Sequence, residues 1–166
     1  MDILILNEKD AEAYRQLRLK GLQTDPLAFG ASYEDEITLN LEDFKKQLIP
    51  KKSSFVVGAF VENKLICTIK FKRFTGLKMR HKAILTAMYC DSEYRKRSIA
   101  KKVLQFTLEK AKQMEGLIML QLMVGSKNTK AKKLYETFGF QSYGVEPSAI
   151  YYNDQFYDED LMYLYL

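Results

Sequence analysis

One histidine, His81, is all that the 166 residues contain, and a lone imidazole cannot by itself assemble a metal centre or a hydrolytic triad. Cysteine is nearly as scarce. Cys67 and Cys90 each stand in a strand-like pattern rather than in a spaced pair, so the sequence predicts neither a disulfide framework nor a zinc site, and both read as core residues. Long apolar runs are missing too: Phe55 to Val61 is a strand-sized block, well short of the roughly 20 residues a spanning helix needs. The opening Met1 to Glu8 lacks the basic flank of a secretory leader. The expectation is therefore a cytoplasmic protein with no membrane partner. With no repeat, low-complexity tract or linker, residues 1–166 are expected to form one domain.

The composition, 47% hydrophobic and 28% charged, is that of a globular chain able to bury a core. A formal charge of +5 raises the question of nucleic acid. The lysines, however, are spread along helix-patterned segments (Lys101, Lys102, Lys110, Lys112, Lys130, Lys132 and Lys133) without the interleaved aromatics of a single-strand binder. No nucleic-acid partner is expected. The cationic excess suits a small polyanionic ligand better.

Periodicity sets out the elements in order. Asp2 to Leu6 reads as a strand, and Asn7 and Asp10 cap a helix carrying Tyr14, Leu17, Gly21 and Leu22 on one face, which ends at Asp25-Pro26. Ala28 to Asn40 is polar and acidic, a loop of the kind that binds substrate. Asn40 then caps a short helix. Ser54 to Val61 and Leu65 to Phe74 form a hairpin around Glu62-Asn63-Lys64. A strand over Ala83 to Cys90 is followed by a basic turn and a long helix ending near Gly116. Leu117 to Val124 is a central strand, Asn128 caps a second helix, and two further strands close the chain. A mixed α/β sheet with helices on both faces follows.

The stretch of greatest chemical interest is Arg95-Lys96-Arg97-Ser98-Ile99-Ala100, a basic turn that opens directly into a helix. Unpaired N–H groups and a partial positive charge at a helix start can cradle a pyrophosphate. Glycine, the residue that most easily lets backbone approach a phosphate, is absent here. Further on, Asn128, Ala131, Leu134, Tyr135, Gly139 and Phe140 trace a helix and its stop. By spacing alone Tyr135 is a core aromatic and Asn128 an N-cap.

These two stretches resemble the GNAT N-acetyltransferase superfamily. Arg95, Ile99 and Ala100 match its acetyl-CoA turn, Arg/Gln-x-x-Gly-x-Gly/Ala, with Lys96 and Ser98 standing where glycine is frequent. Asn128 to Phe140 fills every fixed position of its Asn-x-x-Ala-x-x-Leu-Tyr-x-x-x-Gly-Phe signature. The segment from Arg18 to Phe29, with its Asp25-Pro26-Leu27-Ala28-Phe29-Gly30 run, and the strand containing Met162 also look like the single-domain bacterial type. The resemblance implies a mostly antiparallel sheet of about seven strands with a splayed parallel pair, and acetyl-CoA as co-substrate. It also implies a primary amine of a small metabolite, a peptide N-terminus or a lysine as acceptor. Cofactor contacts are implied for Met88, Tyr89 and Cys90, for Arg95, Lys96, Arg97, Ser98, Ile99 and Ala100, and for Asn128 and Lys133. Cys90 N–H would polarise the thioester, and Tyr135 would be the general acid for the leaving thiolate.

No motif singles out the base. Glu34 and Glu36 are candidates from the acidic loop, able either to deprotonate the amine or to hold a cationic acceptor, and a water chain is the other possibility. Asp91 and Glu93 read as structural or solvated. Tyr151, Tyr152 and Tyr157 would shape an acceptor pocket or fill core and a homodimer surface. An acyl-CoA-binding module without turnover is the alternative reading of the same fold.

Overall fold

The computed structural model describes all 166 residues. Its elements are β1 (Asp2–Ile5), α1 (Ala11–Thr24), α2 (Tyr33–Glu36), α3 (Leu41–Leu48), β2 (Ser54–Val61), β3 (Lys64–Arg73), β4 (Lys82–Cys90), α4 (Ile99–Lys112), β5 (Met119–Gly125), α5 (Thr129–Glu136), β6 (Gln141–Tyr152) and β7 (Gln155–Tyr165). The seven strands form one sheet in the order β1-β2-β3-β4-β5-β7-β6. Every neighbouring pair is antiparallel except β4 and β5. No helix is long and apolar enough to cross a membrane.

Local chemistry explains most boundaries. Asn40 and Asp43 close a reciprocal capping box at the start of α3, satisfying two of the amides a helix start leaves free. The box built by Asn7 and Asp10 caps a single 3-10 turn, Glu8–Asp10, which then runs into α1. The β2–β3 hairpin turns on Glu62 and Asn63 at φ of 48° and 64°, the left-handed pair whose twist matches the flanking strands. Asn153 and Asp154, at 48° and 57°, do the same for β6–β7. Within the acidic loop, Ser32 Oγ accepts from Asp35 N and starts α2, a single helical turn where the sequence suggested loop.

Two cores lie on opposite faces of the sheet. One joins α4 and Tyr135 of α5 to Val57, Ile69 and Phe71; the other joins α1 and α3 to Leu6, Val56 and Leu65. Alternation along β2 and β3 feeds both, since successive side chains leave opposite faces. One expectation fails here. Cys67 and Cys90 form a disulfide, because the β3–β4 register sets them directly opposite one another. A separation of 23 residues in two separate strands gave no sequence signal for that pairing.

Gly58, in the middle of β2, is where the second core is tightest. A Cβ there would lie 2.5 Å from Leu6 Cδ2 and 2.7 Å from Leu65 Cδ1, and both leucines are almost wholly buried. Gly58→Ala is expected to destabilise the fold by about 1–3 kcal/mol, the usual cost of overpacking. Urea unfolding should show a lower midpoint at unchanged slope.

Candidate functional site

The site begins where a strand pair stops pairing. β4 and β5 are in register only at Lys82↔Met119, Ala83↔Leu120 and Ile84↔Gln121. Beyond that point β5 continues with β7 and β4 with β3, leaving a gap between β4 and β5. A bulge lies beside the gap: Thr68 opposes Tyr89 and Lys70 opposes Thr86, so two residues, Ala87 and Met88, face the single Ile69. Ala87 takes φ of 52°. A bulge of this kind re-aims the strand and ends its pairing. The cavity in the gap, about 70 Å³, is lined by Ala87, Met88, Val124, Asn128, Tyr135 and Glu159 among others.

Of the three β4 residues proposed from sequence to contact a cofactor, Met88 lines this cavity, while Tyr89 and Cys90 do not. Tyr89 turns to the opposite face, where its ring packs on Gly21 and its hydroxyl meets Thr24 Oγ1 at 2.9 Å. The Cys90 sulfur is tied to Cys67, and its carbonyl accepts from Arg95 Nε at 3.0 Å.

Past Cys90 the chain enters the basic turn. Asp91 is fully buried, accepts from Lys20 Nζ at 2.8 Å and from Glu93 N at 3.2 Å, and lies 3.6 Å from Lys64 Nζ. Burial pushes its carboxyl up, but the Lys20 hydrogen bond and the neighbouring cations outweigh this and hold it below its ordinary value. Arg95 forms an ion pair with Asp25 at 2.7 Å, so it clamps the turn to the end of α1 rather than standing free. Lys96 and Arg97 are exposed. None of the six successive backbone N–H groups from Lys96 to Lys101 has an acceptor within the protein. Lys96 and Ser98 sit at φ of 63° and 58°. Alternating left- and right-handed residues turn successive amides inward and make an anion-binding nest. The turn thus reaches without glycine the conformation that glycine would adopt freely.

Tyr135 is only 8% exposed, packs edge-on against Phe140, and donates from its hydroxyl to Met88 Sδ at 3.4 Å. Burial raises its pKa to about 12. It therefore belongs to the core, as spacing suggested, while its hydroxyl meets the strand gap. Asn128 caps α5 through Ala131 N and also lines the gap. Lys133 is exposed on α5 and lies outside the gap.

On the α1 face the gap adjoins two larger spaces, and Ala28 and Glu159 line all three. One, about 600 Å³, lies among the Thr24–Ala28 turn, the start of α5 and the β6–β7 hairpin, and includes Tyr152 and Tyr157. Tyr151 is 62% exposed and lies outside it. The other, about 300 Å³, is bordered by Tyr14, Arg18, Glu36, Lys70, Thr86 and Glu159 among others. Glu36 reaches this cavity, but both its oxygens are engaged by Arg18, at 2.9 and 2.6 Å. Glu34 is exposed and lines neither space.

The carboxylate that reasoning from sequence missed is Glu159. It has no ion pair in the fold, and burial followed by the charge of Glu146 raises its pKa. Its signal was present: Glu159 precedes Asp160 in a strand, and alternation puts the two on opposite faces. Asp160 is spent on Lys132 and Ser126.

A strand gap flanked by a phosphate-type nest and a buried tyrosine is the layout of a CoA-dependent acyltransferase fold, and comparison with known proteins agrees. Residues 17–140 match the model of the acetyltransferase (GNAT) family. The chain belongs to that family. In solved structures it is similar to a GNAT-family acetyltransferase from Streptococcus pneumoniae, at 24% identity over 99% of both chains and a TM-score of 0.86. It is also similar to yncA of Salmonella typhimurium, a structure with its cofactor acetyl-CoA, at 15% identity over 99% of this chain and 93% of that one, TM-score 0.82. The ribosomal-protein-alanine N-acetyltransferase of Brucella melitensis matches at 19% identity over all of both chains, TM-score 0.80. No curated protein sequence matches significantly.

The left-handed Ser98 has a measurable cost. A non-glycine residue in that region loses roughly 1–2 kcal/mol, while glycine adds about 0.5–1 kcal/mol of chain entropy to be lost on folding. Ser98→Gly is therefore expected to stabilise the protein by up to about 1 kcal/mol, read as a higher urea midpoint.

Proposed function

We propose that this chain transfers the acetyl group of acetyl-CoA to a primary amine in a ternary complex, with the amine attacking the thioester directly. The observation that carries the reading is β4 itself: its bulged, unpaired stretch faces Tyr135 and Glu159, and its end leads into six free amides. Acetyl-CoA brings the activated acetyl thioester. The amides from Lys96 to Lys101, with the charges of Lys96 and Arg97, suit its pyrophosphate. Arg95 acts indirectly, by fastening that turn to Asp25. Backbone groups of Ala87 and Met88, in the β4 bulge beyond the reach of β5, would pair with the pantetheine amides and polarise the carbonyl, as a strand edge without its neighbour can. Asn128 orients the chain entering the gap.

Glu159 is the base. An uncompensated carboxyl whose pKa is raised by burial is better matched to an amine proton than Glu36, both of whose oxygens accept from Arg18. The amine nitrogen bonds to the acetyl carbon, its proton passes to Glu159, and the carbon–sulfur bond breaks with its electron pair on sulfur. Tyr135 donates to that sulfur. With a phenol pKa of about 12 against roughly 8.5 for an ordinary thiol, full proton transfer would be uphill by about 5 kcal/mol. Its contribution is a hydrogen bond to the developing thiolate; Glu159 releases the amine's proton to bulk solvent, and the departing CoA thiolate is protonated there, so the proton count closes. A cytoplasmic site of action belongs to the same reading, and in a compartment that keeps thiols reduced Cys67 and Cys90 would stand as a facing dithiol.

Calorimetric titration with acetyl-CoA and with CoA tests the site first. Micromolar binding is expected, and its absence would sink the reading. With an active acceptor, Tyr135→Phe is expected to lower kcat by about 10²-fold, the size of one lost donor, with little change in acetyl-CoA affinity. Full turnover in that variant would remove the tyrosine from the chemistry.

Glu159→Gln should abolish the acid limb of the kcat/KM profile, whose midpoint in the parent lies above the ordinary 4.5. The same substitution has a stability signature. Since the folded pKa is raised, burial of Glu159 costs nothing below pH 4.5 and destabilises the fold as pH rises through the raised value. The glutamine variant should therefore be more stable than the parent at pH 7, and equally stable near pH 4, by thermal melting.

A further inference from the structure

The 300 Å³ cavity beside Glu159 is electrically polarised. Four charged side chains line it: Arg18, Glu36, Lys70 and Glu159. Arg18 and Glu36 are joined by two hydrogen bonds and cancel. Lys70 and Glu159 make no ion pair with any residue, so one uncompensated charge of each sign remains.

The surroundings sharpen the two ends. Lys70 and Gln47 also line an adjoining basin of about 580 Å³ that contains Lys46, Lys51, Lys72 and Arg73 and no acidic residue. None of its four lysines is in a salt bridge, and Arg73 donates only to the carbonyls of Arg80 and Glu115. Lys70 and Lys72 leave β3 on the same face, two residues apart. Glu159, at the other end, is paired across β6–β7 with Glu146. Lys46, Lys51 and Lys72 are exposed and Lys70 is half-buried, and burial together with Lys72 and Arg18 lowers the Lys70 pKa. An anion would relieve this. The remaining acidic groups of the neighbouring 600 Å³ space are occupied, Asp25 by Arg95 and Asp158 by Ser148 N.

We propose that the acceptor is a small amino acid-like molecule, its primary amine at Glu159 and its carboxylate at Lys70, with room for a second acidic group toward Lys46, Lys51 and Lys72. Glu159, which the acetyltransferase reading makes the base, then also orients the amine by charge, and Lys70 fixes the opposite end. Of the acidic loop residues Glu34 and Glu36, which taken from sequence could hold a cationic acceptor, Glu34 is exposed and outside the cavity, and Glu36 lines it with both oxygens engaged by Arg18. The proposal rests on the acetyltransferase reading for its chemistry, but not for its binding.

The test therefore has a binding arm and a turnover arm. L-Glutamate, L-leucine and L-phenylalanine are each compared with the corresponding α-carboxamide and decarboxylated amine, first by ligand-observed NMR on the whole protein with and without CoA. At least a tenfold preference for the carboxylate form is expected. It should fall toward one in Lys70→Gln and be retained in Lys70→Arg. Equal or better binding of the carboxamide or the bare amine overturns the proposal, as does no binding of any amino acid. Thiol release from acetyl-CoA, with the same panel and an acidic peptide, should show the same ratio in kcat/KM. Preferential acetylation of an acidic peptide N-terminus or a neutral amine would overturn the proposal while leaving the acetyltransferase reading intact. Amino-acid binding without any acetyl-CoA binding would do the reverse.

Discussion

The whole site depends on a parallel strand pair that stops pairing after Ile84↔Gln121. A parallel pair in a packed sheet normally continues, because an abandoned edge leaves buried N–H and C=O groups without partners. Here the bulge at Ala87–Met88 turns β4 aside, while β7 keeps β5 in place through Gly125↔Glu159. Tyr135 arrives from one face of the sheet, and Glu159 and Lys70 line the spaces on the other. The gap lies between them, lined by Tyr135 and Glu159.

The basic turn is held by ionic contacts at its base and left open at its tip. Asp91, buried and bound by Lys20, fixes the end of β4 against α1, and the Arg95–Asp25 pair repeats that tie one turn later. Asp91 is the buried charge of the two ties, and leaving a buried charge without its partner usually costs far more than the pair contributes; the Arg95–Asp25 pair is partly exposed and adds position more than stability. The amides they position have no internal acceptor. Backbone strain at Lys96 and Ser98 is concentrated where an anion would sit, as it often is at functional sites.

Much of this was legible in the amino acids. The turn residues, the caps at Asn40 and Asn128, the β2–β3 hairpin and the apolar face of α4 follow from local rules, and the family from two short motifs. Three features were not. Cys67 and Cys90 become neighbours only through the β3–β4 register. Arg95 looks like a free phosphate ligand until α1 brings Asp25 to it. Glu36 looks like a free base until Arg18 claims it.

Local sequence determined which segments are helix or strand and which chemical groups are available, because capping, turn chemistry and periodicity act over a few residues. Tertiary structure decided which charges cancel and which remain. Arg18 and Glu36 lie 18 residues apart, and nothing in that spacing shows that they neutralise each other. Glu159 and Lys70 stay out of any ion pair because register and burial, both long-range properties, place the neighbouring opposite charges in other pairs, as with Glu36 on Arg18.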